Sequence, residues 1–187
     1  MGRMAIGLAA AACAAGLGNA GAARAGDAVP FSARAGEDLA REAALAWTDD
    51  AQLVWVENDE PVGGTGDAGR WGYLFYSPSR DAARGYSVRD GKIRQATDLP
   101  FDFPAPPVEG EWVDSGIALA AAEEKAGAKF RAEQGGTLRS MMLVRGILDV
   151  KHPDAPTWAV VYVAEGAPGL WVVVDAASGK VVRTWRG

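Results

Sequence analysis

The chain has 187 residues, 49% hydrophobic and 23% charged, a globular balance that argues against wholesale disorder. Its net charge of −5 argues against a nucleic-acid binder, which needs a basic stripe to neutralise phosphates. One cysteine and one histidine exclude an intrachain disulfide scaffold, Cys/His zinc sites, and Cys-His or Ser-His-Asp catalysis that does not use His152.

The first elements belong to a leader. Arg3 gives a short positive segment, Met4 to Leu17 is apolar and Ala-rich, and Ala23-Arg24-Ala25 places small residues where a signal peptidase reads them. The apolar stretch is too short to span a bilayer, and no later stretch approaches the length of a membrane span. Residues 1–25 therefore read as a signal peptide cleaved after Ala25. Loss of Arg3 and Arg24 takes the net charge from −5 to −7. Cys13 leaves with the leader on this reading. The alternative is lipidation at Cys13, but Ala10-Ala11-Ala12 lacks the leucine usual before such a cysteine.

Gly36 to Trp47 has Leu39, Ala43, Ala46 and Trp47 at helical spacing. Gln52 to Glu57 forms a strand. The following loop holds Glu57-Asn58-Asp59-Glu60 and the glycines 63, 64, 66 and 69. Its spacing matches no calcium loop, and no Gly-Lys-Ser/Thr makes it a phosphate loop, so it reads as a flexible, solvated hairpin loop. Trp71 to Phe75 and Gly85 to Val88 are strands, and Asp90-Gly91 supplies a tight hairpin turn.

Residues 98–112 contain Pro100, Pro104, Pro106 and Pro107 and read as an extended connector, with Phe101 and Phe103 packing on a neighbour. A longer helix follows from Ser115 to Gln134. Asp114 or Ser115 is its N-cap, Gly135-Gly136 its stop, and Leu119, Ala122, Ala126 and Phe130 lie on one face. Met141 to Val150, Trp158 to Tyr162 and Gly169 to Val174 are strands. His152 lies in an exposed turn before Trp158, and a lone histidine builds no structural zinc site.

The two sides of the connector correspond. Trp71-x-x-x-Phe75 matches Trp158-x-x-x-Tyr162, each pair on one face of a strand. The count from Trp71 to Gly91 is 20 positions and from Trp158 to Gly179 is 21. The expected fold is α+β: a first unit at 26–97, the connector at 98–112 and a second unit at 113–187, each a helix on a small antiparallel sheet. Leu170, Val172 and Val174 alternate with Trp171 and Val173, so this strand is expected to be covered on both faces, by pairing of the two units sheet to sheet or edge to edge.

The helix Ala118–Gly127, the strand with Trp158 and Tyr162, and the closing Val172-Val-Val-Asp-Ala-Ala-Ser-Gly-Lys-Val-Val182 resemble a PepSY domain. The likeness is good over 113–187 and degenerate over 26–97, where Val88-Arg-Asp90-Gly91-Lys-Ile93 keeps the hairpin but loses the Asp-Ala. The resemblance implies an α+β module of the PepSY or cystatin kind in a secreted or periplasmic bacterial protein, with a proposed role in restraining peptidases. It brings no catalytic residues. Asp175 reads as the cap of its own turn and Gly179 as its positive-φ residue.

Seven tryptophans, at 47, 55, 71, 112, 158, 171 and 185, are expected chiefly in packing. The expected function is non-catalytic binding, of a secreted peptidase or another envelope protein, by a monomer or homodimer, with no cofactor, metal or nucleic acid. A sheet edge could accept an extended peptide strand. The alternative is a carrier holding a small apolar ligand in a groove lined by Trp71, Phe75, Trp158 and Tyr162, which requires a closed apolar cavity of about 300 Å³ or more. A carboxylate hydrolase would require two converging acids, at least one with a raised pKa.

Overall fold

The structure, a computed structural model, describes residues 28–100, 106–146, 148–149 and 151–187. The expected leader, its cleavage site and Cys13 lie outside these residues, as do Phe101 and Phe103 of the connector.

A short 3₁₀ turn, Arg34–Gly36, leads into α1, Glu37–Trp47. Four strands follow: β1 Gln52–Asn58, β2 Trp71–Ser77, β3 Ala82–Arg89 and β4 Lys92–Leu99. Then come α2 Ser115–Ala122, a π-turn Glu123–Gly127 and α3 Ala128–Gln134. Four more strands close the chain: β5 Thr137–Arg145, β6 Pro156–Ala164, β7 Ala167–Asp175 and β8 Val181–Arg186.

These strands overturn the expected pair of separate helix-on-sheet units. All eight belong to one antiparallel sheet, ordered β4-β3-β2-β1-β5-β6-β7-β8. The join is β1 with β5, where Trp55, Val56 and Glu57 oppose Val144, Leu143 and Met142. The physical reason is edge pairing. Two small sheets would each expose two edges, and joining β1 to β5 removes two of the four. The apolar rows of the two sides then form one core, in which Val56 and Phe75 share a cluster with Leu143 and Val160.

The 98–112 connector is drawn into this structure. Its first two positions belong to β4. Val108 N–H donates to the Leu53 carbonyl (2.7 Å). Trp112 is buried against Trp158, with ring centroids 5.8 Å apart. The 59–70 loop is equally tied down: Ala68 bridges to Phe31, and Gly66 sits so close to the Gly116 backbone that a Cβ there would clash.

The helices lie on one face of the sheet, burying Ala40 and Ala44 of α1, and Ala118, Leu119 and Ala122 of α2. The opposite face buries Val144, Ala159 and Val173. Among the described residues no second sheet covers it: of the two pairings expected, edge to edge is the one seen. Leu148 and the partly buried Trp55, Met142, Trp171 and Trp185 lie across it instead, with Trp171 stacked on Trp185 at 5.3 Å.

Candidate functional site

The four residues expected to line an aromatic groove come from β2 and β6, whose helix-facing positions carry Trp71, Phe75, Trp158 and Tyr162. All four are 0% exposed. Trp71 and Trp158 meet edge to face at 6.3 Å, Phe75 meets Tyr86 at 5.9 Å, and Tyr162 meets Phe130 at 6.2 Å. Their polar atoms are spoken for as well. Trp71 Nε1 donates to Phe31 O and Trp158 Nε1 to Val113 O, each at 2.8 Å, which anchors the chain entering each helical segment. Tyr162 Oη donates to Glu123 Oε1 (2.8 Å), and burial pushes its phenol above the usual value. The rings fill the space between the two sides, so these residues form the centre of the core rather than a groove open to a ligand.

The other polar positions are mostly turn chemistry. Ser178 donates to Asp175 Oδ1 through its N–H (2.7 Å) and Oγ (2.6 Å), and Gly179 has φ +70°, as the hairpin reading of this stretch requires. His152 is exposed in its turn, with Nδ1 2.9 Å from Asp149 Oδ2. Asp50 accepts from Ser77 Oγ (2.6 Å), Thr48 Oγ1 (2.7 Å) and Ser79 N–H (2.7 Å), and these bonds hold its carboxyl well below the usual range. Among the described residues no cluster of three or more His, Cys, Asp or Glu side chains could hold a metal ion.

Two carboxyls behave differently. Glu57 and Asp59 follow one another on the sheet face opposite the helices, and burial raises the pKa of both. Asp59 accepts from Ser87 Oγ (2.7 Å), while Glu60 beside it pairs with Arg89 (2.6 Å). These are the acids nearest to the hydrolase criterion; Glu57 is half-buried on the sheet face and Asp59 is solvent-accessible at its rim.

The remaining surface features depend on the strand order, which no local pattern encodes. One is a 420 Å³ polar cleft lined by Arg34, Glu37, Asp38, Arg41, Gly110 and Glu111, where Arg34 and Arg41 already pair with Glu37 and Arg34 also pairs with Glu111. Another is a 350 Å³ groove between the α2–π-turn segment and the start of β8, lined by Ala121, Glu124, Lys125, Gly179, Lys180 and Val181. The last are the two sheet edges, β4 and β8.

No protein-family model matches the chain, and no curated protein matches its sequence. Among solved structures the fold is similar to a protein from Clostridium difficile 630 provisionally named a lipoprotein, with a TM-score of 0.54 and 11% identity. The match covers 81% of this chain and 92% of that one, and at this identity the likeness is one of fold.

Proposed function

We propose that this chain is a non-catalytic, extracytoplasmic binding protein of the PepSY-like type, which engages a peptidase or another envelope protein by holding an extended segment of it. The observation that carries this reading is the sheet itself. Among the described residues it ends in two edge strands, β4 and β8, and a partner strand added to either gains main-chain hydrogen bonds without any preformed cavity. The leader supports an extracytoplasmic site, and no described helix is long and apolar enough to cross a membrane. The similar solved structure carries a lipoprotein name, which gives weight to Cys13 as an alternative anchor. Against catalysis, the single histidine is exposed and engaged with Asp149.

The test has two arms. Intact-mass measurement of the mature protein distinguishes cleavage after Ala25 from acylation at Cys13. Cross-linking in the native envelope, followed by assays of the captured peptidases, tests binding. A chain that captures no envelope protein and leaves every co-occurring secreted peptidase fully active at high excess defeats the proposal.

A further inference from the structure

We infer that β8 is the docking edge, and that its occupant is an extended acidic segment alternating carboxylates with apolar side chains. This rests on the proposed binding function and narrows it to one surface and one chemistry.

Backbone geometry comes first. Gly187 N–H donates to the Gly169 carbonyl (3.1 Å), and Trp185 and Arg183 oppose Trp171 and Val173. In an antiparallel ladder hydrogen-bonded and non-bonded pairs alternate. Trp185 and Arg183 thus turn their backbone groups toward β7. Thr184 and Arg186 turn theirs to the free edge, where an added strand completes the ladder.

Charge selects the occupant. Residues 176–187 carry Lys180, Arg183 and Arg186 and no acid, within a chain of net charge −5. Among the described residues none of these three cations has a carboxylate partner. Arg183 lies over the Trp185 ring (4.8 Å), while Arg186 lies over Phe130 (4.3 Å) and donates to Pro168 O (3.1 Å). The β4 edge contrasts with this, because its Asp98 pairs with Arg84 (3.4 Å) and its Arg94 with Asp90 (2.8 Å), leaving Lys92 as its one cation without a carboxylate partner among the described residues. Edge cations also deter unwanted pairing, but that role does not require a groove alongside.

Shape sets the alternation. Arg183 and Trp185 stand on the face opposite the helices. On the helix face, Val181 and Ala121 form the apolar part of the 350 Å³ groove, whose other side chains are Glu124, Lys125 and Lys180, and Ile117, exposed at 55%, sits beside Gly179. Successive side chains of an added strand point to opposite faces. Carboxylates on one face therefore meet Arg183, and side chains on the other face meet Val181 and Ile117, with Lys180 and Arg186 left to attract the acidic segment as a whole.

The experiment uses the mature protein and three labelled decapeptides read by fluorescence anisotropy: alternating Glu-Val, alternating Lys-Val, and Glu and Val in separate blocks. We expect alternating Glu-Val to bind at least about tenfold tighter than the other two, with affinity falling as salt rises. Arg183→Glu, and Thr184→Pro, which removes an outward N–H, should each weaken it by about tenfold or more in a variant that keeps its fold. Thr97→Glu on β4 should leave it unchanged. Absence of binding, no preference among the peptides, or full affinity in a folded Arg183→Glu variant overturns the inference. Envelope capture that survives Arg183→Glu overturns the docking edge alone, whereas absence of capture by the unaltered chain overturns the binding function itself.

Discussion

Close contacts decide the side chains at the centre of the molecule. The Tyr162 hydroxyl reaches Glu123 through a space that exists only because residue 127 is glycine, where a Cβ would collide with the phenol. Gly127→Ala gains helix propensity worth up to about 1 kcal/mol. It should nevertheless destabilise the protein, because overpacking in a core costs about 1–3 kcal/mol. Thermal unfolding checks this, and a raised midpoint would refute the contact. Glu57 offers a second test. Burial holds its carboxyl above the usual range, opposed by a hydrogen bond from Trp55 and reinforced by the Asp59 charge. A raised folded-state pKa means that the folded chain binds the proton more readily than the unfolded one. Stability therefore falls as pH rises through the window between the two values, and the cost is complete above it. Glu57→Gln should raise the unfolding midpoint at pH 7, with the gain vanishing below about pH 4, where the carboxyl is protonated in both states. An equal gain at both pH values would remove the charge explanation.

The helices show how far local signals reach. Asp114 is the N-cap of α2, as its position predicts, and Gly135 at φ +62° ends α3. The intervening face is only half legible. Helical spacing places Ala126 with Leu119, Ala122 and Phe130, and it does pack against the core, but the buried residue in the π-turn is Gly127. The π-turn inserts one extra residue, which keeps both Ala122 and Phe130 on the sheet and brings glycine over Tyr162. Asp114 does more than its sequence position announces. Its Oδ1 accepts from Ser115 N–H (2.7 Å) and also from Arg34 N–H (3.0 Å), while Ser115 Oγ accepts from Ala33 N–H (3.0 Å). One carboxylate thus joins the starts of both helical segments. Removal of an ordinary cap costs about 1 kcal/mol, and here a second backbone donor is stranded as well, so Asp114→Ala should cost about 2–3 kcal/mol. Chemical denaturation measures it, and a loss below about 1 kcal/mol would mean that the Arg34 contact contributes nothing.

For the whole molecule, continuity of the sheet makes a prediction that two separate units would not. The β1–β5 ladder and a single helix-face core cross the middle of the chain. Residues 28–187 should therefore unfold in one cooperative transition, with calorimetric and van 't Hoff enthalpies equal. Two resolved transitions would show that the halves are energetically separate despite the shared sheet. The same continuity leaves β4 and β8 as the edges, one with most of its charges paired internally and one whose cations lack carboxylate partners among the described residues.

Short-range chemistry was readable from the amino acids alone. Asp90-Gly91 adopts positive φ at both residues, Asp175 caps its turn, and the strands at Trp71, Gly85, Trp158 and Gly169 stand where alternation places them. Even the fifth strand was legible in kind, although it begins at Thr137, before the expected Met141. The partner of β1 was not legible, because Trp55 and Val144 are far apart in sequence and every strand edge offers the same backbone groups. Nor was the depth of Trp71 and Trp158. Sequence marks a tryptophan as large and apolar, but only the meeting of the two sides decides that it is enclosed rather than presented. Local patterns determined the pieces, and the choice of which edges pair determined the core and the surface left for binding.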